Sequence, residues 1–169
     1  MTKTPGTGKR SDTGTRALLT LTAAGINFTV HTYEHDPEQR GFGAEAAAAL
    51  DLDPAEVFKT LIVDVDGLPT VAIVPVSAMV DLKAHAACCG GRRAALADHQ
   101  VAERITGYVV GGISPIGQKR KLQTVLDESA LKKSTIYVSG GKRGMDIGLS
   151  PADLTKITDA LTGPIARFP

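Results

Sequence analysis

Tryptophan is absent from the 169 residues, and phenylalanine and tyrosine together number only seven. That scarcity excludes a broad aromatic platform for stacking single-stranded bases. Cysteine is almost missing as well. The only two, Cys88 and Cys89, are adjacent, which rules out a conventional disulfide framework. His85 is the one potential ligand close to them, and a closed zinc site needs about four, so no metal is assigned. The apolar runs are short, such as Ala46 to Leu50, far from the roughly 20 residues of a membrane helix. The opening MTKTPGTGKRSDTGTR lacks the apolar centre of a signal peptide. No membrane partner is expected, and the location expected is cytoplasmic. Apolar residues at 43% and charged residues at 22% exclude a disordered, collagen-like or coiled-coil chain.

The net charge of +1 hides an uneven spread. Residues 1–16 carry +3, residues 17–82 carry −8, residues 83–143 carry +7 and residues 144–169 carry −1. A local +7 suits a phosphate-bearing partner, although solvated faces give the same pattern in one dimension.

Residues 1–13 read as a flexible tail rich in Thr, Gly and Lys. Helical spacing of Ala17, Leu18, Leu21 and Ala24 predicts a helix from Thr15 that stops at Gly25. Alternation of Ile26, Phe28 and Val30 predicts a strand running toward Tyr33. An alanine-rich helix is expected over Ala44 to Leu50, and Asp53-Pro54 is expected to open a further short helical turn. Val57 to Val65 and Thr70 to Val76 read as strands joined through Asp66-Gly67, with Pro69 able to lengthen the turn. Helices follow from Asp81 to Cys89 and, capped by Asp98, through Arg104. Strands are expected at Tyr108 to Val110, Gln123 to Leu126, Thr135 to Val138 and Met145 to Leu149. Ser150-Pro151-Ala152-Asp153 is a capping box that opens a last helix to Leu161. Regular strand–helix alternation is missing, so the fold class is α+β with a mixed sheet.

Lys59 is the residue least suited to its neighbours. It interrupts Val57-Phe58-Lys59-Thr60-Leu61-Ile62-Val63 and, apart from Arg40, is the only cation between residues 17 and 82. On a strand it shares a face with Val57, Leu61 and Val63. An ammonium there must find acceptors or lower its pKa, unless it snorkels to water. Two glycine-rich segments, 107–115 (GYVVGGISP) and 139–144 (SGGKRG), can turn backbone N–H groups toward an oxyanion, though glycine pairs also serve as plain turns. Neither is a phosphate-binding P-loop or a dinucleotide fingerprint, and no cofactor is expected. His31 and His35, with Asp36 beside them, are a candidate pair of bases on the loop after the first strand, for which surface or capping roles are the simpler account. Asp146 alternates with Met145 and Ile147 just after Gly144, near the second glycine turn. Gly-x-Ser-x-Gly is missing, and the cysteines lack a His-Asn context, so no protein nucleophile is evident.

His31-Thr32-Tyr33-Glu34-His35-Asp36, Phe58-Lys59-Thr60-Leu61, TGYVVGGISPIGQK over 106–119 and TIYVSGGKRG over 135–144 occur in an order that resembles the YbaK/EbsC branch of aminoacyl-tRNA editing domains. The similarity runs from about Arg16 to Leu161, with 14–162 as the domain and 163–169 as a C-terminal tail. It implies a mixed, barrel-like sheet with surrounding helices, as in the editing insertion of prolyl-tRNA synthetase, and a cleft for the 3′ end of aminoacyl-tRNA. By the same resemblance, the family's lysine falls on Lys59. Its other pocket positions fall on Tyr33, Phe42, Gly111, Ser139 and Asp146, with Gly112 adjoining. The implied activity is removal of Cys from tRNA(Pro), the substrate's own thiol attacking the ester, with prolyl-tRNA synthetase as a further implied partner. Two other readings remain open: a noncatalytic module that binds a tRNA end or a synthetase through residues 83–143, and a small-nucleotide binder at the glycine turns.

Overall fold

The computed structural model describes residues 14–169, so the expected tail over 1–13 lies outside the described residues. The first helix, α1 (Arg16–Ala23), starts where Thr15 offers its hydroxyl to the Leu18 N–H at 3.2 Å, and it buries Ala17, Leu18 and Leu21 on one stripe. The chain leaves it through Gly25 at φ +70°, and the Ile26 N–H returns to the Leu21 carbonyl. Residues 26–28 are thereby spent on the helix exit, and β1 (Thr29–Thr32) begins later than alternation alone suggests. Next come α2 (Phe42–Ala49), β2 (Phe58–Val65) and β3 (Leu68–Pro75). Asp66 and Gly67, both at positive φ, close β2 and β3 as a two-residue hairpin with Val65 opposite Leu68. Pro69 sits in register opposite Asp64 and does not lengthen the turn.

Beyond β4 (Met79–Val80), Asp81 caps α3 (Leu82–Cys88) by accepting from the Ala84 N–H at 3.0 Å. Then follow β5 (Ala94–Leu96) and α4 (His99–Thr106), which Gly107 ends in the left-handed conformation. Asp98 occupies the cap position of α4, but its side chain makes no capping bond there. The second half holds β6 (Gln123–Asp127), a 3-10 turn over Glu128–Lys132, β7 (Ile136–Lys142), β8 (Met145–Leu149) and α5 (Pro151–Thr158). Ser150 accepts from the Asp153 N–H at 3.1 Å, as the capping box requires.

Two expected elements are absent. Tyr108 to Val110 is not a strand, because its hydrogen-bonding groups are consumed nearby. The Tyr108 hydroxyl donates to the Ile116 carbonyl at 2.6 Å, the Val110 N–H donates to Glu103, and the Gly112 N–H donates to the Val109 carbonyl. Asp53-Pro54 makes a turn, not a helix, with the Asp53 carboxylate accepting from the Ala55 N–H at 2.9 Å. The last helix also ends before Leu161, at Asp159, whose φ is +54°. Leu161 instead opens β9 (Leu161–Gly163), and β10 (Ala166–Arg167) pairs with β4. Residues 163–169 thus hold the end of β9 and the whole of β10, and Ile165 has no exposed surface. The Asp127 carboxylate fastens this stretch by accepting from the Ile165 and Ala166 N–H groups at 3.0 and 2.9 Å.

The strands form a five-stranded sheet in the order β5-β2-β3-β6-β9, a three-stranded sheet β1-β8-β7, and the β10-β4 pair. β3–β6 and β6–β9 are parallel and the remaining ladders antiparallel, so the sheet is mixed. An isolated parallel bridge ties Val57, just before β2, to Tyr137 of β7, and among the described residues the strands form separate sheets and no closed barrel. The residues Ile136, Val138, Met145 and Ile147 pack with Ile73, Leu126 and Leu154 into the main core. The other face of β1-β8-β7 is polar, because His31, Asp146 and Ser139 stand opposite one another in register. That polar face has one edge beside the start of β2, where Lys59 lies. No helix among the described residues is long and apolar enough to cross a membrane.

Candidate active site

A cleft of about 430 Å³ opens between the polar face, β2, the start of α2 and the loop after α4. Its lining includes Tyr33, Phe42, Lys59, Gly111, Ser139 and Asp146, which are far apart in the chain.

Lys59 is half-buried, and its loss of hydration lowers the ammonium pKa from its ordinary value. Among the described residues no carboxylate pairs with the ammonium and no hydrogen bond engages it. Asp146 is 6% exposed, and burial pushes its carboxyl up to about 7. Tyr33 continues the β1 ladder by donating its N–H to the Gly144 carbonyl at 2.9 Å. Burial, and then the nearby carboxylates of Asp146 and Glu45, push its phenol up to about 12, so the hydroxyl stays a donor at neutral pH. Ser139 lies opposite Asp146, and its hydroxyl accepts from the Gly141 N–H at 3.2 Å in the bulge before Lys142.

Phe42 forms the outer wall. The His35 ring packs on it with centroids 5.6 Å apart, and the Arg143 guanidinium lies 5.1 Å from its centre. His35 is held in turn by Glu45, at 2.7 Å from Nδ1 to Oε1, and Glu45 Oε2 accepts from the Asp36 N–H. Gly111 packs against this wall: at φ +91° a Cβ there would meet Phe42 ring carbons at 2.7 and 2.8 Å.

A cleft that pairs an unneutralised ammonium with a glycine corner suits an ester or phosphate group, because both can support negative charge on oxygen. Residues 36–157 match the model of the aminoacyl-tRNA editing domain family. The chain belongs to that family. Relatives of this editing domain agree. It is 37% identical over 129 residues to EbsC of Enterococcus faecalis, named as a candidate Cys-tRNA(Pro)/Cys-tRNA(Cys) deacylase, and the match spans 75% of this chain and 79% of that protein. Its fold matches a crystal structure described as a candidate trans-editing enzyme for prolyl-tRNA synthetase, with a TM-score of 0.80 and 21% identity over 94% of this chain and 99% of the other. The crystal structure of the protein APE2540 matches with a TM-score of 0.80 and 24% identity over 90% and 99% of the two chains.

Of the residues singled out from the sequence of this editing domain, Gly112 is not in the cleft lining. It is buried behind Gly111, where a Cβ would strike the Lys142 and Arg143 backbone at 2.7 to 2.9 Å. The two histidines do not form a pair. His31 is buried with Nε2 2.9 Å from the Thr29 hydroxyl and its ring edge-on to Tyr137, and burial lowers its pKa. His35 instead holds Glu45. Cys88 and Cys89 lie outside the cleft, near His85, and among the described residues no group of three or more His, Cys, Asp or Glu is placed to hold a metal ion. The basic stretch over 83–143 disperses: Lys83, Arg92 and Arg93 gather by the β2–β3 hairpin, Lys121 pairs with Asp159, and Arg143 lies over the Phe42 ring. Arg143 and Glu103 were not singled out from the sequence. Their partners are distant in the chain, and a surface cation or carboxylate carries no local mark of such a contact.

Burial of Asp146 makes a pH prediction with a definite sign. Its folded pKa lies above the 3.8 of a free side chain, so protons favour the folded state. Its contribution to stability is complete below about pH 4 and falls away as pH rises through about 7. Asp146→Asn is therefore expected to raise the Tm at pH 8 more than at pH 5, as read by thermal denaturation at both values. An equal change at both pH values would show that the carboxyl does not titrate in this range.

Proposed function

We propose that this editing domain acts in trans as an aminoacyl-tRNA deacylase, with Cys-tRNA(Pro) as its substrate. The half-buried ammonium of Lys59, unpaired among the described residues, in a cleft shared with Gly111 is the observation that carries the reading. Lys59 anchors the terminal adenosine or the ester carbonyl, and the Gly111 N–H supports charge developing on the carbonyl oxygen. Phe42 and Tyr33 wall the aminoacyl group. Ser139 and Asp146 orient the ribose hydroxyls and the substrate amine.

The chemistry needs no nucleophile from the protein. The cysteinyl thiol attacks the ester carbonyl, a C–S bond forms, and the C–O bond to the ribose breaks. The thiol proton passes to the departing ribose oxygen, which leaves tRNA and a cysteine thiolactone that water opens to cysteine. Such an intramolecular attack has a high effective concentration, so the cleft's work is mainly to hold the reactive conformer. The name of the Enterococcus relative and the family match support the substrate class. The choice of tRNA is assigned to a partner, prolyl-tRNA synthetase, which the description of the structural relative names, in the cytoplasm where charging occurs.

The test is a panel of labelled Cys-tRNA(Pro), Ala-tRNA(Pro), Pro-tRNA(Pro) and Cys-tRNA(Cys), each with and without the synthetase. Fast release of cysteine with proline spared supports the reading. Binding of every tRNA without turnover would replace it with a noncatalytic tRNA-end module.

A further inference from the structure

The loop that carries Gly111 is pinned from outside the cleft, and the pinning decides where one peptide group faces. The Gly112 N–H donates to the Val109 carbonyl at 2.8 Å, which makes Val109–Gly112 a four-residue turn. Gly111 is at φ +91°, whereas Val110 is not among the positive-φ residues, and this combination is the type II form of the turn. Type I and type II turns differ chiefly by rotation of their central peptide, here the one between Val110 and Gly111.

Two side chains grip Val110. Glu103 Oε2, from α4, accepts its N–H at 2.8 Å, and Arg143 Nε, from the β7–β8 turn, donates to its carbonyl at 2.9 Å. Arg143 does not line the cleft, while Val110 and Gly111 do. No peptide bond among the described residues is cis, so the Gly111 N–H points opposite to the Val110 carbonyl and away from Arg143. Among the described residues no acceptor takes that N–H.

We infer that Arg143 is a positioning residue of this editing domain: by holding the Val110 carbonyl it keeps the Gly111 N–H turned, unpartnered, into the cleft. The same guanidinium lies over Phe42, so one side chain ties the wall and the corner together across three segments of chain. The inference rests on the deacylase reading for its kinetic consequence, because a donor aimed at the developing oxyanion matters only in the transition state. A peptide free to rotate loses part of that aim at no cost to substrate binding.

The test uses Arg143→Met, which keeps the apolar stem without donors, and Arg143→Lys, which keeps the charge without the planar fork. Arg143→Met is expected to lower kcat about 10- to 100-fold with KM changed less than about two-fold. Arg143→Lys is expected to leave most of that loss in place. In an amide-resolved NMR spectrum, the Gly111 cross-peak is expected to shift and broaden in both variants, with the remaining dispersion retained. Full recovery of kcat by lysine, or a loss confined to KM and sensitive to salt, would make Arg143 a phosphate contact and overturn the inference. An unchanged Gly111 cross-peak would overturn it as well. The spectrum needs no turnover, so an inactive wild type would count against the deacylase reading while the cross-peak still decides the role of Arg143.

Discussion

On the proposed deacylase reading, Lys59→Ala is expected to bring release of cysteine from Cys-tRNA(Pro) down to its uncatalysed rate, a loss on the order of 100- to 1,000-fold in kcat/KM. The size follows from where the charge sits. A half-buried ammonium that no carboxylate among the described residues pairs with acts through a poorly screened medium, so its attraction for an oxygen carrying negative charge exceeds that of a surface lysine. Stability is expected to change little or to rise, because the variant removes a desolvated charge that among the described residues lacks a partner. Lys59→Met, which keeps the stem, separates charge from packing: the same loss of activity with an unchanged Tm assigns the effect to the ammonium. Labelled substrate, single-turnover kinetics and a thermal melt supply the measurements. Wild-type turnover in either variant would remove Lys59 from the mechanism.

Alanine at the two adjacent glycines is expected to do different things. At Gly111 the backbone lies at φ +91°, where an alanine costs about 1 to 2 kcal/mol, and the new Cβ meets side-chain atoms, the Phe42 ring and Arg143 Nε at 2.7 to 2.9 Å. Side chains can swing aside. Gly111→Ala should therefore fold with a modestly lower Tm, yet lose about 100-fold in kcat as the wall and the corner separate. At Gly112 the obstacle is backbone, with the Cα and carbonyl carbon of Lys142 and the nitrogen of Arg143 at 2.7 to 2.9 Å. Backbone in a β-bulge cannot retreat without breaking the β7–β8 turn from the loop. Gly112→Ala is expected to cost about 2 to 4 kcal/mol, although it is not in the cleft lining, with the loss visible in denaturant unfolding. If both variants lost only stability, or both lost only activity, this division of labour between the glycines would be wrong.

Much of the fold was legible because its signals are local. Thr15 and Ser150 sit at helix starts and cap them, and Asp66-Gly67 folds back in two residues because both tolerate positive φ. The exceptions share a cause. Tyr108 to Val110 has the composition of a strand, but Tyr108, Val110 and Gly112 find partners inside their own loop and at Glu103, so no ladder forms. The segment after Gly163 looked featureless because what orders it is a carboxylate, Asp127, 38 and 39 residues away.

The same division runs through the site. Lys59 stood out in one dimension because a cation in an apolar strand must answer for its hydration wherever the strand lies. The motif order likewise named the family, since it needs only residue types and their succession. Tertiary structure alone decided that Tyr33, Phe42, Lys59, Gly111, Ser139 and Asp146 border one cleft, and that Gly112 stands behind it. It also decided that burial pushes the Asp146 carboxyl up to about 7 and that Arg143 holds the Val110 carbonyl beside Gly111. Burial and cross-chain contact belong to the packed arrangement and to no single stretch of residues: a pKa reports how much water has been taken away, and a long side chain's partner is whatever the fold brings within its reach.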